Sequence, residues 1–143
     1  MRAEETIRGF IEASTVAYLA TVDNGRPRVR PMAVLAFEGD ALHMIAYASS
    51  HKLLELSDNP TAELCFTDKE MNHLRVGGTI ELTHDSAMKH RLWQDNAYIR
   101  EYFHSPADPD MALLKMTVAD AMLMNSESVE YRRLELAGGP AAR

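Results

Sequence analysis

The stretch TVAYLATVDNGRPRVRPMAV, residues 15–34, decides the fold class. At its centre, Asp23-Asn24-Gly25 is a two-residue hairpin signal, because Asn and Gly tolerate the positive φ that such turns demand. A strand therefore runs into the turn and a second, antiparallel strand leaves it, reaching about Phe37. On that second strand Arg26, Arg28 and Arg30 fall at every second position, so they share one face at intervals of roughly 7 Å. Val29, Pro31 and Ala33 take the other face. The arginine face continues through Met32 and Val34, a gradient from a charged end to an apolar floor. Pro31 lacks an N–H, which puts the strand at an edge or at a bulge. The whole chain carries a net charge of −6. Nucleic-acid binding leans on many phosphate contacts and is disfavoured by that balance. A local basic cluster in an acidic chain asks for a small anion instead.

The same alternation extends outward. Ile7, Phe10 and Ile11 mark an amphipathic helix over residues 4–14. EGD turns the chain into a third strand, ALHMIAYA, and SSHKLLELSDNP reads as a short helix capped at Ser49 or Ser50 and ended by Asn59-Pro60. TAELCFTD and HLRVGGTIELTHD read as two more strands. DSAMKHRLWQDNAYIREYF reads as one helix or a pair, capped by Asp85, with Met88, Leu92, Ile99, Tyr102 and Phe103 facing inward. MALLKMTVADAMLM is helix or strand by periodicity alone; the strand-like SVEYRRLEL beyond it favours a closing strand pair. The expectation is a mainly β fold, a β-barrel with flanking helices and six or so antiparallel strands. It forms a single domain over residues 1–136, followed by a disordered tail, AGGPAAR, at 137–143. Several strands are apolar on both faces, which calls for cover beyond three helices and predicts a two-fold dimer.

With one cysteine, Cys65, the chain makes no internal disulfide, and the charged N-terminus has no secretory pattern. The reading is a cytoplasmic protein with no membrane segment and no nucleic-acid partner. Zinc-type His or Cys spacing, a GxGxxG loop, a P-loop and GxSxG are all missing from the sequence.

Three elements bear on binding. The first is the arginine strand. The second is Ser49-Ser50-His51-Lys52, where a helix start that ordinarily favours acidic residues carries His51 and Lys52. Free amides, hydroxyls and a lysine converge there, as a phosphate site requires. The third is NHLRVGG, with His73 and Arg75 on one strand face and Gly77-Gly78 allowing a bulge or a close backbone approach.

Taken in order, the first helix, YLATVDNGRPRVRPM, SSHKLLELSDNP and LRVGGTIEL resemble the pyridoxamine 5′-phosphate oxidase-like family of FMN-binding split barrels. HRLW and SPADPDMALLKMT are similar to its general stress protein 26-like branch. The resemblance implies a homodimer with FMN in a cleft at the subunit interface. It implies that Arg30, and Arg28 beside it, reach the flavin phosphate, with Pro31 and Met32 along the ring. Ser50, His51 and Lys52 would hold the same phosphate, Ala46 and Tyr47 would lie against the isoalloxazine, and His73 would take a position that is often a ring-bonding glutamine. It implies an oxidoreductase that exchanges electrons with a small-molecule donor or acceptor. No residue stands out as a catalytic acid or base. The C-terminus lacks the arginine-histidine substrate motif of true vitamin-B6 oxidases, so pyridoxal phosphate synthesis is not expected. The alternatives are a reductase using the deazaflavin F420, a non-catalytic flavin-binding or stress-related module, and a pocket for another phosphorylated metabolite.

Overall fold

The structure, a computed structural model, describes residues 2–13 and 16–137, so the tail expected at 137–143 lies outside it from Gly138 onward. The hairpin forms where its turn chemistry puts it. Asn24 and Gly25 adopt φ of 52° and 82°, and they join β1 (Ala17–Asp23) to β2 (Arg26–Met32) in unbroken register. The second strand does not run through to Phe37. It stops at Met32, and β3 (Val34–Glu38) begins after the single residue Ala33.

That break closes the barrel. The described strands lie in the order β2-β1-β5-β6-β7-β4-β3, with β4 at Ala41–Tyr47, β5 at Thr61–Thr67, β6 at His73–Thr83 and β7 at Met111–Asn125. An eighth strand, β8 (Glu130–Arg133), pairs with β7 off this path. A flat sheet would hold β2 and β3 roughly 30 Å apart. Ala33 alone joins them, so the sheet must curl until its two ends meet. Among the described residues no strand pairing joins β2 to β3, and the result is a split barrel. Pro31 is accommodated because β2 is an edge strand.

The interior follows the register. Arg30, Leu19, Leu64, Val76 and Ala121 align in one row across β2, β1, β5, β6 and β7, and the four apolar members are fully buried. Helix α1 (Ala3–Ala13) adds Ala3 and Ile7 to this core, and α2 (His51–Asp58) adds Leu56. β6 bulges at Gly77/Gly78, as the paired glycines suggest.

The last helical segment is a pair: α3 (Ser86–Asp95), capped by Asp85 accepting from the Met88 amide at 3.0 Å, and a 3-10 segment over Ala97–Glu101. Met88, Leu92, Ile99 and Phe103 do face inward. Tyr102 does not; it is 52% exposed at the C-cap of the 3-10 segment, where its ring meets that of Tyr98 edge-on instead of entering the core. Together with Met111 and Leu113 the inward residues form a second core, on the outer face of β3, β4 and β7. The two-faced apolarity of β4 and β7 is thus satisfied within the chain. On β1 and β2 the outer face stays open, with Tyr18 and Val29 exposed.

Candidate functional site

β2 and β4 are brought side by side with the start of α2 by the barrel's closure. Pro31 and Met32 from β2, Ala46 and Tyr47 from β4, and Lys52 from α2 line one cleft of about 230 Å³. Five of the residues picked out in the sequence therefore converge. The opposite wall was not read from the sequence: it is Tyr98, Ile99, Tyr102 and Phe103, from the 3-10 segment and the loop after it. Tyr47 ties the walls together, its ring 4.8 Å from that of Phe103 and its hydroxyl donating to the Tyr102 carbonyl at 3.5 Å. The available signal was a pair of tyrosines spaced four apart in NAYIREYF; both rings are exposed and in edge contact at 5.2 Å.

The basic residues divide. Lys52 reaches into the cleft, its Nζ donating to Ser50 Oγ at 3.3 Å. Burial pulls its pKa below the ordinary lysine value, helped by the nearby Arg30 guanidinium and opposed by Glu55. Ser50 occupies the N-cap of α2, but its side chain makes no capping bond to the helix amides. Those amides keep their capacity for an anion.

Arg30 faces the barrel floor rather than solvent. Its Nη2 donates to Glu55 Oε1 at 2.8 Å and its Nη1 donates to Thr21 Oγ1 at 2.7 Å and to the Leu19 carbonyl at 3.3 Å. Thr21 in turn donates to Glu55 Oε1 at 2.6 Å. The Thr21 bond, and then the Arg30 guanidinium and His51, hold the buried Glu55 carboxyl below its ordinary pKa. Arg28 lies outside the cleft lining, its Nε 3.3 Å from Asp23 Oδ2. His51 is exposed, with Nε2 3.6 Å from Glu55 Oε2 and 4.0 Å from Asp23 Oδ2. Part of the counter-charge that two cations at a helix start require is therefore supplied internally. Asp23, His51 and Glu55 do bring potential metal ligands within 4.8 Å of one another. With Arg28, Arg30 and Lys52 around them the setting repels a divalent cation.

His73 is not in this cleft. Its ring stands 5.9 Å from that of Tyr131, on which the Arg75 guanidinium also stacks. Both lie on the outer surface of β6 and β8. Within one chain the structure does not bring His73 to Lys52.

Comparison with known proteins adds three findings. Residues 3–125 match the sequence profile described as pyridoxamine 5′-phosphate oxidase. No curated protein matches the chain. Among solved structures, the chain is similar to General Stress Protein 26 from Bacillus anthracis, with TM-score 0.78, 24% identity, and coverage of 94% of this chain and 100% of that one. It is similar to a NimC/NimA family protein from Clostridium acetobutylicum, with TM-score 0.81, 19% identity, and coverage of 91% and 90%. A pyridoxamine 5′-phosphate oxidase-related, FMN-binding protein from Nostoc punctiforme superposes with TM-score 0.69 at 18% identity, covering 90% and 94%. At these identities the likeness is one of fold. Among the described residues no helix is long and apolar enough to cross a membrane.

Proposed function

Because this chain belongs to the pyridoxamine 5′-phosphate oxidase family, we propose that it binds FMN and exchanges electrons with a small molecule. The observation that carries the reading is the cleft itself, where Pro31, Met32, Ala46, Tyr47 and Lys52 meet from three elements distant in sequence. The residues fit the cofactor chemically. A lysine and uncapped helix amides suit a phosphate, and the apolar floor of Met32 and Ala46 beside the Tyr47 ring suits a flat heterocycle. Bound there, FMN supplies the redox chemistry, and the protein supplies binding and orientation. Lys52 would set the positive potential at the phosphate end, with the Glu55-paired Arg30 beside it, while Tyr98 and Tyr102 would screen the ring from water. No side chain in the cleft is assigned as an acid or base.

The cleft volume of about 230 Å³ is below the range of roughly 300–1,000 Å³ usual for ligand pockets. A wider cavity of about 670 Å³ adjoins it through Pro31, Met32, Ala33, Leu35 and Tyr98, and we propose that a second copy covers this opening. The open outer face of β1 and β2 is the surface we assign to that contact, with His73 and Tyr131 on the same outer side of the barrel as candidates to face the partner's cofactor. Pyridoxal phosphate synthesis is not proposed, since YRRLEL at residues 131–136 carries no arginine-histidine pair.

A second reading is favoured by one observation: Glu55 matches the charge of Arg30. A site with little net charge suits the monoanionic phosphodiester of a deazaflavin such as F420 as well as a phosphate dianion. The deciding experiment is the visible spectrum of the purified protein before and after loading with FMN or F420. Retention of about one FMN per chain is expected. Lys52→Ala should weaken FMN by roughly ten- to a hundredfold, the worth of one charge-assisted contact. A wild-type protein that retains no FMN removes the reading.

A further inference from the structure

Glu55 is buried against Arg30, whose charge lies close enough to Lys52 to act on it. Residues 51, 52 and 55 share one face of α2 by their spacing of three and four. From that face the Glu55 carboxylate enters a closed ring of hydrogen bonds. Arg30 Nη1 donates to Thr21 Oγ1, Thr21 donates to Glu55 Oε1, and Arg30 Nη2 donates to the same oxygen. The Glu55 side chain is only 4% exposed. A carboxylate buried this deeply persists only when paired and hydrogen-bonded. Two consequences fall on Arg30. Three acceptors, Thr21, Glu55 and the Leu19 carbonyl, fix its guanidinium. A carboxylate at contact distance also offsets its charge, much as Asp23 offsets Arg28. Lys52 differs from both, since its hydrogen-bonding partner is the neutral Ser50 hydroxyl.

We propose that Glu55 is a specificity-determining residue of the phosphate site: it fixes the Arg30 guanidinium and cancels its charge, so that the site offers a bound phosphate a single net positive charge. The inference rests on reading this cleft as a phosphate site. It differs from a merely structural salt bridge in what Glu55→Gln should do. The amide oxygen still accepts from Thr21 and Arg30, while the cancelling charge is gone. Glu55→Gln should bind FMN about tenfold tighter through the uncancelled charge. Riboflavin, which has no phosphate, should bind both proteins equally. A structural role alone predicts equal or weaker FMN binding, or parallel changes for FMN and riboflavin, and either result overturns the proposal.

A second measurement, on the wild type, covers a variant that fails to fold. A single net charge predicts that FMN affinity falls less than about tenfold between about 0.05 and about 0.5 M salt; a larger fall overturns the proposal. Thermal stabilisation by inorganic phosphate separates this inference from the flavin reading. A wild type that ignores FMN, with phosphate stabilising Glu55→Gln more than wild type, removes the flavin and keeps the role of Glu55. No phosphate response from either protein overturns that role.

Discussion

Glu55 weakens this protein unless its partners stay in place, and that dependence sets how the fold responds to acid. Its carboxyl is held below the ordinary value of 4.5, chiefly by the Thr21 hydroxyl and then by Arg30. A carboxyl whose pKa is lower folded than unfolded stabilises the fold above its unfolded value, and that contribution fades as pH falls through the folded one. Thermal midpoints should therefore drop as pH falls below about 4.5, and Glu55→Gln should show a shallower drop in the same titration. Arg30→Ala is a poor probe of the phosphate site for the same reason, since it leaves a buried carboxylate unpaired at a cost of about 3–5 kcal/mol. Gly78 makes a steric counterpart. A Cβ there would stand 2.0 Å from the Thr117 carbonyl oxygen, and backbone cannot swing aside as a side chain can. Gly78→Ala should cost about 2–3 kcal/mol, the upper part of the overpacking range, measured by denaturant unfolding. The Gly77-Gly78 pair announced a bulge or close approach in the sequence. Glu55 announced nothing, because its partners at positions 21 and 30 come from two other elements, β1 and β2.

Among the elements, α3 and the 3-10 segment bear the most on the site, since they carry one wall of the cleft and pack through a core of their own. Leu92 is 2% exposed in that second core. Leu92→Ala should cost about 2–4 kcal/mol. It should also raise amide hydrogen exchange in Ser86–Glu101 more than in β5 or β6, if this wall opens as a local unit. Uniform acceleration across the sheet would show that the wall and the barrel unfold together. These elements also mark where the sequence stopped being legible. The β1–β2 hairpin was readable because turn chemistry is local. β7 was ambiguous because it buries both faces, one in the barrel and one under α3, and two-faced burial erases the period of two. Tyr102 was misread as inward because a helical period was carried past the end of the 3-10 segment, whose last residue is Glu101. A tyrosine that walls a cleft has the same pattern as one facing water.

For the molecule as a whole, the outer face of β1 and β2 is the surface on which the proposed dimer rests. Tyr18 and Val29 are 49% and 68% exposed there, beside Pro27 and Pro31. The sequence predicted that two-faced strands need a partner. The chain itself covers β4 and β7, and the outer face of β1 and β2 is the one left open for the proposed contact. Tyr18→Asp should convert a dimer to a monomer in sedimentation experiments and weaken FMN retention at the same time. A monomer that holds FMN as tightly as wild type would separate the cofactor from the interface. The single residue between β2 and β3 has a consequence of another kind. Met32 and Val34 are both buried, so the inside-outside alternation passes through Ala33 without losing step. The connection thus works as a parity rule. It holds only as far as Val34, because β3 bulges between Val34 and Ala36 and Phe37, three residues on, is again in the barrel core. A change of length by one residue here therefore has a bulge at hand to absorb it, and a change by two leaves Val34 facing inward.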